Sequence, residues 1–173
     1  SIKPQGAKNE ALQILCATLL TSESIIVNNI PNILDVNKLI EILKNLGVEI
    51  VKISEGSYRF RSNNINLDYL SSQDFKDDGQ RLRGSIMIVG PLLARFGKGS
   101  VPRPGGDKIG RRRLDTHFEG LIKLGAKFSH TRDSSFYNVE ANELKGANIL
   151  LDEASVTGTA NIIMTAVLAQ GKT

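Results

Sequence analysis

The segment Leu46-Gly47-Val48-Glu49-Ile50 (LGVEI) recurs 78 residues later as LGAKF at 124–128, and this repeat decides the fold. In both copies an amphipathic helix ends at a glycine and a short apolar strand follows. Around the first copy the pattern predicts helices over 9–20 and 35–46 and strands over 24–28, 48–54 and 58–62. Around the second it predicts helices over 85–96 and 115–124 and strands over 99–102 and 136–141.

A third copy begins at Leu150 with a predicted helix over 161–170. We therefore expect a mixed α/β domain of repeated units, with repeat one at 6–66, repeat two at 80–145 and the start of repeat three at 148–173. The polar, acidic stretch 63–79 is predicted to be a solvated connector. The alternative is a coincidental alternation of helices and strands.

Composition is that of a soluble globular protein, with 40% hydrophobic and 23% charged residues. The formal charge is +4 and arginines concentrate in 81–113, which favours an anionic ligand over a general polyanion surface. Aromatic residues make up 5% and Trp is absent, so nucleic acid is not an expected partner. Cys16 has no disulfide partner, and no run has transmembrane length or a signal-peptide pattern. We expect a cytoplasmic location and no membrane partner.

The loop Pro104-Gly105-Gly106-Asp107 leads into a basic cluster, Arg111-Arg112-Arg113. Two glycines let the backbone bend or approach a ligand closely. One carboxylate beside several guanidinium groups suits a phosphorylated substrate. The alternative is a surface turn followed by a solvated basic run.

Three further motifs accompany this loop: GAKN at 6–9, RLRGS at 81–85 and GPLLARFG at 90–97. In this order and register they resemble the enolpyruvyl transferases, in particular the branch acting on UDP-N-acetylglucosamine. The resemblance implies an inside-out α/β barrel of βαβαββ units with its helices at the centre, the third unit being truncated here. It also implies transfer of the enolpyruvyl group of phosphoenolpyruvate to a sugar hydroxyl without a cofactor, at the start of peptidoglycan synthesis. A second domain would lie outside this chain.

The resemblance also implies a role for individual residues. Asp107 would be the proton donor, in the loop position where the family commonly has cysteine. Phosphoenolpyruvate would contact Lys8, Asn9 and Arg112, and the nucleotide sugar would contact Arg83, Asp115, His117, Ser155 and Val156. Simpler interpretations are a helix cap for Asn9, a first-turn acid for Asp115 and a structural role for His117.

This chain departs from the family pattern at several positions. Arg113 replaces proline, Thr116 replaces leucine, Thr157 replaces glycine, and Glu153 stands where lysine is common. Asp107 needs a raised pKa to donate a proton, because a free carboxyl has a pKa near 3.9. Fosfomycin alkylates the family cysteine, and a carboxylate is a poorer nucleophile, so we expect intrinsic resistance.

Two alternatives to this interpretation stay open. One is 5-enolpyruvylshikimate-3-phosphate synthase, which shares the architecture but lacks the glycine loop with its acid or cysteine. The other is a non-catalytic module that binds phosphate or RNA through its arginines. No metal site is predicted, since the acidic run 74–78 lacks EF-hand spacing and no Cys/His spacing indicates zinc. The chain alone is expected to be inactive and to self-associate through exposed apolar surface.

Overall fold

A computed structural model of the chain describes residues 4–102, 114–129 and 135–173. Its helices are α1 (Lys8–Ala17), α2 (Leu34–Asn45), α3 (Gln73–Arg81), α4 (Val89–Phe96), α5 (Asp115–Lys123) and α6 (Val156–Ala166). Its strands are β1 (Ser24–Val27), β2 (Glu49–Ser54), β3 (Ser57–Arg61), β4 (Lys98–Pro102), β5 (Lys127–Ser129) and β6 (Phe136–Glu140). Short 3-10 turns occupy Thr18–Leu20, Leu67–Ser71 and Arg83–Ile88.

The strands form two antiparallel sheets with the same internal order. In the first the order is β1-β3-β2, and in the second it is β4-β6-β5. The central strands place Phe60 opposite Ile25 and Val139 opposite Gly99, and both Phe60 and Val139 are fully buried. The predicted mixed α/β class is confirmed. The described strands do not close into a barrel, and the repeat boundaries stay a prediction.

Helices occupy the middle of the domain. Helix α6 contacts both α1 and α4, and α1 also packs on the 3-10 turn Arg83–Ile88. Leu15 of α1 and Leu92 of α4 are completely buried, and Met164 of α6 is nearly so. The expected central position of the helices therefore agrees with the packing.

The prediction of a single helix over 85–96 was wrong in its first half. Residues 83–88 form a 3-10 turn and the α-helix begins only at Val89. Pro91 explains the start, because proline lacks an N–H and fits the first turn of an α-helix, where that group has no intrahelical acceptor. Gly97, at φ 69°, ends α4 in the left-handed conformation.

The stretch 63–79 is not the solvated connector that its composition predicts. It contains a 3-10 turn and most of α3, and it buries Tyr69, Leu70 and Phe75. Phe75 stacks on Phe136 of β6 with ring centroids 6.2 Å apart. A narrow apolar face is therefore enough to attach this segment to the core while Asp68, Asp74 and Asp77 stay in solvent.

Arg95 joins the two sheet-bearing halves of the chain. Its Nη1 donates to the carbonyl oxygens of Leu19, Thr21 and Ser62, at 3.1, 3.1 and 2.6 Å. Leu19 and Thr21 follow α1, where carbonyl groups lack intrahelical donors. The Arg95 guanidinium of α4 therefore supplies hydrogen bonds to carbonyl groups that follow α1 and lack helical partners.

The crossing of α4 and α6 depends on the absence of a side chain at Gly90. A Cβ built there would lie 2.5 Å from the carbonyl oxygen of Asn161 and 2.6 Å from the Thr165 hydroxyl. The carbonyl oxygen of Asn161 cannot move without shifting α6, so the two backbones approach as closely as they do only with glycine.

Gly90→Ala is therefore expected to destabilise the protein by about 2 kcal/mol or more, despite alanine's higher helix propensity. Gly84→Ala is the matched control, because a Cβ at Gly84 meets only the ends of flexible side chains, those of Leu12 at 3.1 Å and Leu82 at 3.8 Å. We expect the control to change stability by less than about 1 kcal/mol in urea unfolding. Equal stability of the two variants would contradict this account of the crossing.

Candidate functional site

One buried amide connects the elements that carry the predicted ligand-binding residues. Asn161 of α6 is fully buried, and its Oδ1 accepts from the backbone N–H of Gly90 at 2.8 Å. Its Nδ2 donates to the carbonyl oxygen of Ile86 at 3.1 Å and lies 3.1 Å from Nδ1 of His117. The side chain thus holds together the 3-10 turn Arg83–Ile88, α4, α5 and α6.

These bonds determine the proton position on His117. Both Nδ2 hydrogens of Asn161 are donated, so His117 Nδ1 must accept one of them. The neutral ring then carries its proton on Nε2, which donates to the Thr157 hydroxyl oxygen at 3.3 Å. Burial, and secondly the positive charge of Arg83, lower the pKa of His117 from 6.5 to about 4. The ring is therefore neutral at pH 7.

The N-terminal ends of α5 and α6 meet beside this network. Ser155 is the N-cap of α6, and its hydroxyl accepts from the backbone N–H of Gly158 at 3.0 Å. Buried Thr116 in α5 donates toward Asp152 at 3.2 Å and Glu153 at 3.3 Å, just before α6. Two converging helix N-termini favour a bound anion, whereas these carboxylates oppose it.

The helix of the third copy was predicted to begin at Asn161. In the structure Ser155 caps α6 and the helix begins at Val156 and ends at Ala166. Val156 is 74% exposed in the first turn, and Asp115 is the exposed first residue of α5. The first-turn position interpreted for Asp115 is confirmed, and ligand binding by these residues stays a prediction.

The other predicted pair lies in the first turn of α1. Lys8 Nζ is 3.0 Å from Asp35 Oδ2 of α2, and both side chains are partly exposed. Asn9 is exposed and does not cap the helix, because the N-cap is Ala7 and lacks a side-chain hydrogen bond. The capping interpretation of Asn9 was therefore wrong, since α1 begins one residue earlier than predicted.

Two of the predicted site residues, Asp107 and Arg112, lie outside the described residues, as do Arg111 and Arg113. Of the rest, the structure brings Arg83, His117 and the α6 N-terminus into one region. Helix α1, whose first turn carries Lys8 and Asn9, adjoins this region, since its Leu12 lies against Gly84.

Sequence reasoning missed Asn161 as part of this region, and it identified Thr157 only as a replacement for the family glycine. Asn161 opens the apolar run at 162–164, and a lone polar residue beside such a run was the available signal. Its partners lie 44 to 75 positions away in sequence, so no local pattern identifies them.

Neither a membrane span nor a metal cluster occurs in the part of the chain that the structure describes. No helix there combines the length and the apolarity needed to cross a bilayer. No three or more His, Cys, Asp or Glu side chains are grouped there so that they could hold a metal ion.

The family model for EPSP synthase (3-phosphoshikimate 1-carboxyvinyltransferase) matches residues 1–173. The chain belongs to this family. It is 59% identical over 172 residues to the UDP-N-acetylglucosamine 1-carboxyvinyltransferase of Bacteroides fragilis and 49% identical over 173 residues to that of Borreliella burgdorferi. Each alignment covers 99% of this chain, but only 40% and 39% of the relatives. The chain thus spans about two fifths of their length.

Solved structures show the same fold. The enolpyruvyl transferase NikO from Streptomyces tendae superposes with a TM-score of 0.78 at 15% identity, over 99% of this chain and 39% of that one. An EPSP synthase from Acinetobacter baumannii gives a TM-score of 0.68 at 15% identity, over 98% of this chain and 38% of that one. The architecture is therefore that of part of an enolpyruvyl transferase.

The lowered pKa of His117 makes stability depend on pH. Below pH 6.5 the unfolded chain binds a proton at this residue that the folded chain refuses until about pH 4. The contribution of His117 to the free energy of unfolding is therefore fully present above pH 6.5 and decreases as the pH falls toward 4. At pH 5 the free energy of unfolding is about 2 kcal/mol lower than at neutral pH because of this group.

His117→Asn keeps a partner for Asn161 but does not titrate in this range. We expect wild type to be the more stable protein at about pH 7.5, and its advantage to shrink by about 2 kcal/mol at about pH 5. Urea unfolding of both proteins at the two pH values measures this change. The carboxylates titrate alike in both proteins, so their effect on stability cancels when the free energies of unfolding are subtracted. A constant difference would contradict a neutral buried histidine.

Proposed function

We propose that the protein carrying this chain transfers the enolpyruvyl group of phosphoenolpyruvate to a sugar hydroxyl of UDP-N-acetylglucosamine. Phosphate is released, and the product enters peptidoglycan synthesis in the cytoplasm. The observation that carries this proposal is the high identity, along almost the whole chain, to relatives named for this reaction. The two substrates and a second domain of the same enzyme are the proposed partners.

The proposed chemistry has two steps. The sugar hydroxyl gives its proton to a base of the second domain and its oxygen bonds to C2 of phosphoenolpyruvate, while the C2–C3 double bond opens and C3 takes a proton, which gives a tetrahedral intermediate. The C2–phosphate bond then breaks and C3 loses a proton, which leaves an enol ether. Asp107 is the proposed donor to C3, with its pKa raised by desolvation and by the substrate's negative charges.

Lys8, Asn9 and Arg112 are the proposed contacts of phosphoenolpyruvate. The Lys8 ammonium stands at the N-terminus of α1, where the helix dipole also favours an anion. Its ion pair with Asp35 is partly exposed and therefore weak, so the ammonium is available to a charged substrate. Asp35 would then hold the Lys8 side chain near its working position.

The nucleotide sugar is proposed to bind Arg83, Asp115, Ser155 and Val156, with His117 beneath them. The closeness of Arg83 to His117 supports this grouping, as do the adjoining N-termini of α5 and α6. Guanidinium and helix N-terminus are both suited to a diphosphate.

The alternatives have weaker support. A shikimate phosphate substrate is favoured only by the family description, whereas the close relatives carry the nucleotide-sugar name. An RNA-binding module would require stacking platforms that a chain with 5% aromatic residues supplies poorly.

The chain alone is proposed to be inactive and to self-associate. Its α6 exposes Ile163 and Val167 by 58% and 62%, and Leu150 is 83% exposed. Ile163 also lines a groove of about 430 Å³ between α6 and residues 147–151. Apolar surface of this kind normally packs against further protein.

Phosphate release from phosphoenolpyruvate is expected to require UDP-N-acetylglucosamine. Asp107→Asn in the full-length protein should reduce kcat by about 10²- to 10⁴-fold, because the amide cannot supply the proton. Lys52→Gln is the control, since Lys52 pairs only with exposed Glu55 among the described residues, and it should keep full activity. Release that requires shikimate 3-phosphate instead would overturn the proposed substrate.

Fosfomycin is expected to leave the full-length protein active, because a carboxylate opens the epoxide poorly. Asp107→Cys introduces the nucleophile and should produce time-dependent, covalent inactivation, visible as a mass increase on the protein. Rapid inactivation of the wild type would contradict this prediction.

A further inference from the structure

We propose that Thr157 donates its hydroxyl hydrogen to a phosphate oxygen of the nucleotide sugar, and that His117 is a positioning residue acting through Thr157. This inference rests on the proposed function, and it changes the role predicted for His117 from direct contact to indirect support. It also adds a ligand-binding residue at a position where the family pattern has glycine.

His117 is poorly placed to touch a ligand itself. Its side chain is buried, with 3% of the residue exposed. Nδ1 accepts from Asn161 and Nε2 donates to Thr157, so both ring nitrogens have partners within the protein. A neutral imidazole in this state has no further hydrogen-bonding capacity for a substrate.

The Thr157 hydroxyl, in contrast, has one hydrogen still to donate. A hydroxyl offers one donor and two acceptor sites, and His117 occupies an acceptor site. Among the described residues, no acceptor for the hydroxyl hydrogen lies within hydrogen-bond distance. Thr157 is exposed in the first turn of α6, so its hydroxyl is accessible to a ligand in solvent.

The surrounding charges select the kind of ligand atom. Arg83 lies close enough to His117 to lower its pKa, and the N-terminus of α6 adds partial positive charge. Asp152 and Glu153 stand on the Thr116 side and repel anions. An oxyanion would therefore be held from the Thr157 side, where an oriented hydroxyl adds a donor without adding charge.

The relay also holds the hydroxyl oxygen in place before any ligand binds. Asn161 is held by the backbone of Ile86 and Gly90, His117 by Asn161, and Thr157 by His117. A donor that is already oriented loses less conformational entropy on binding than a rotating one. The two residues should therefore act on ligand affinity as one unit.

The test is calorimetric titration of the full-length protein with UDP-N-acetylglucosamine and, separately, with uridine, which has no phosphate. Thr157→Val keeps the shape and removes the hydroxyl, so it should raise the Kd for the nucleotide sugar about tenfold. Thr157→Ser restores the hydroxyl and should bring the Kd back to within about twofold of wild type. The affinity for uridine should not change in either variant.

His117→Asn tests the coupling, because asparagine still meets Asn161 but is too short to reach Thr157. It should weaken nucleotide-sugar binding in the wild-type background and add little in the Thr157→Val background. Additive effects would overturn the positioning role of His117.

The outcomes separate the two proposals. Unchanged nucleotide-sugar affinity in Thr157→Val, or an equal loss for uridine, would overturn the role of Thr157 alone. Failure of the wild type to bind the nucleotide sugar would overturn the proposed function. If the valine variant does not fold, as judged by its thermal unfolding, Thr157→Ala is titrated instead.

Discussion

The buried side chain of Asn161 is the constraint on which the site region depends. A primary amide in the interior must satisfy its donors and its acceptor, and each of its partners here belongs to a different structural element. The amide therefore has a single orientation, and so do the 3-10 turn before α4, the start of α5 and the middle of α6. Gly90 makes this possible, because a side chain there would displace Asn161.

The same network also determines which groups of the site region carry charge. A histidine that accepts at Nδ1 and is buried stays neutral, so the positive charge of the region comes from Arg83 and the helix N-termini. The direction of each hydrogen bond, from Asn161 to His117 to Thr157, follows from the amide's attachment to the backbone. Burial at the core thus determines what the surface of α6 presents to a ligand.

The repeat could be predicted from the sequence because each copy is marked by local patterns, a helix with an apolar stripe followed by a glycine. Gly47 and Gly125 both adopt positive φ, at 98° and 105°, after helices with similar apolar stripes. The burial of 67–75 was missed because three apolar side chains are outnumbered by polar neighbours and only tertiary packing shows which face is inward. The start of α6 was missed because a serine cap and a ligand-binding turn have the same residue types. The relay was not predictable, since its members are distant in sequence.

The structure explains several of the positions at which this chain departs from the family pattern, because the changed residues contact one another or a neighbouring site residue. Thr116 stands where leucine is usual and Glu153 where lysine is common, and the two side chains contact each other. A leucine could not donate to Glu153, whereas the Thr116 hydroxyl does, so the two changes together allow this hydrogen bond. Thr157, in place of glycine, likewise meets a histidine nitrogen that would otherwise lack an acceptor on α6. These residues are therefore best understood as pairs, each of which forms a hydrogen bond between α5 and the start of α6.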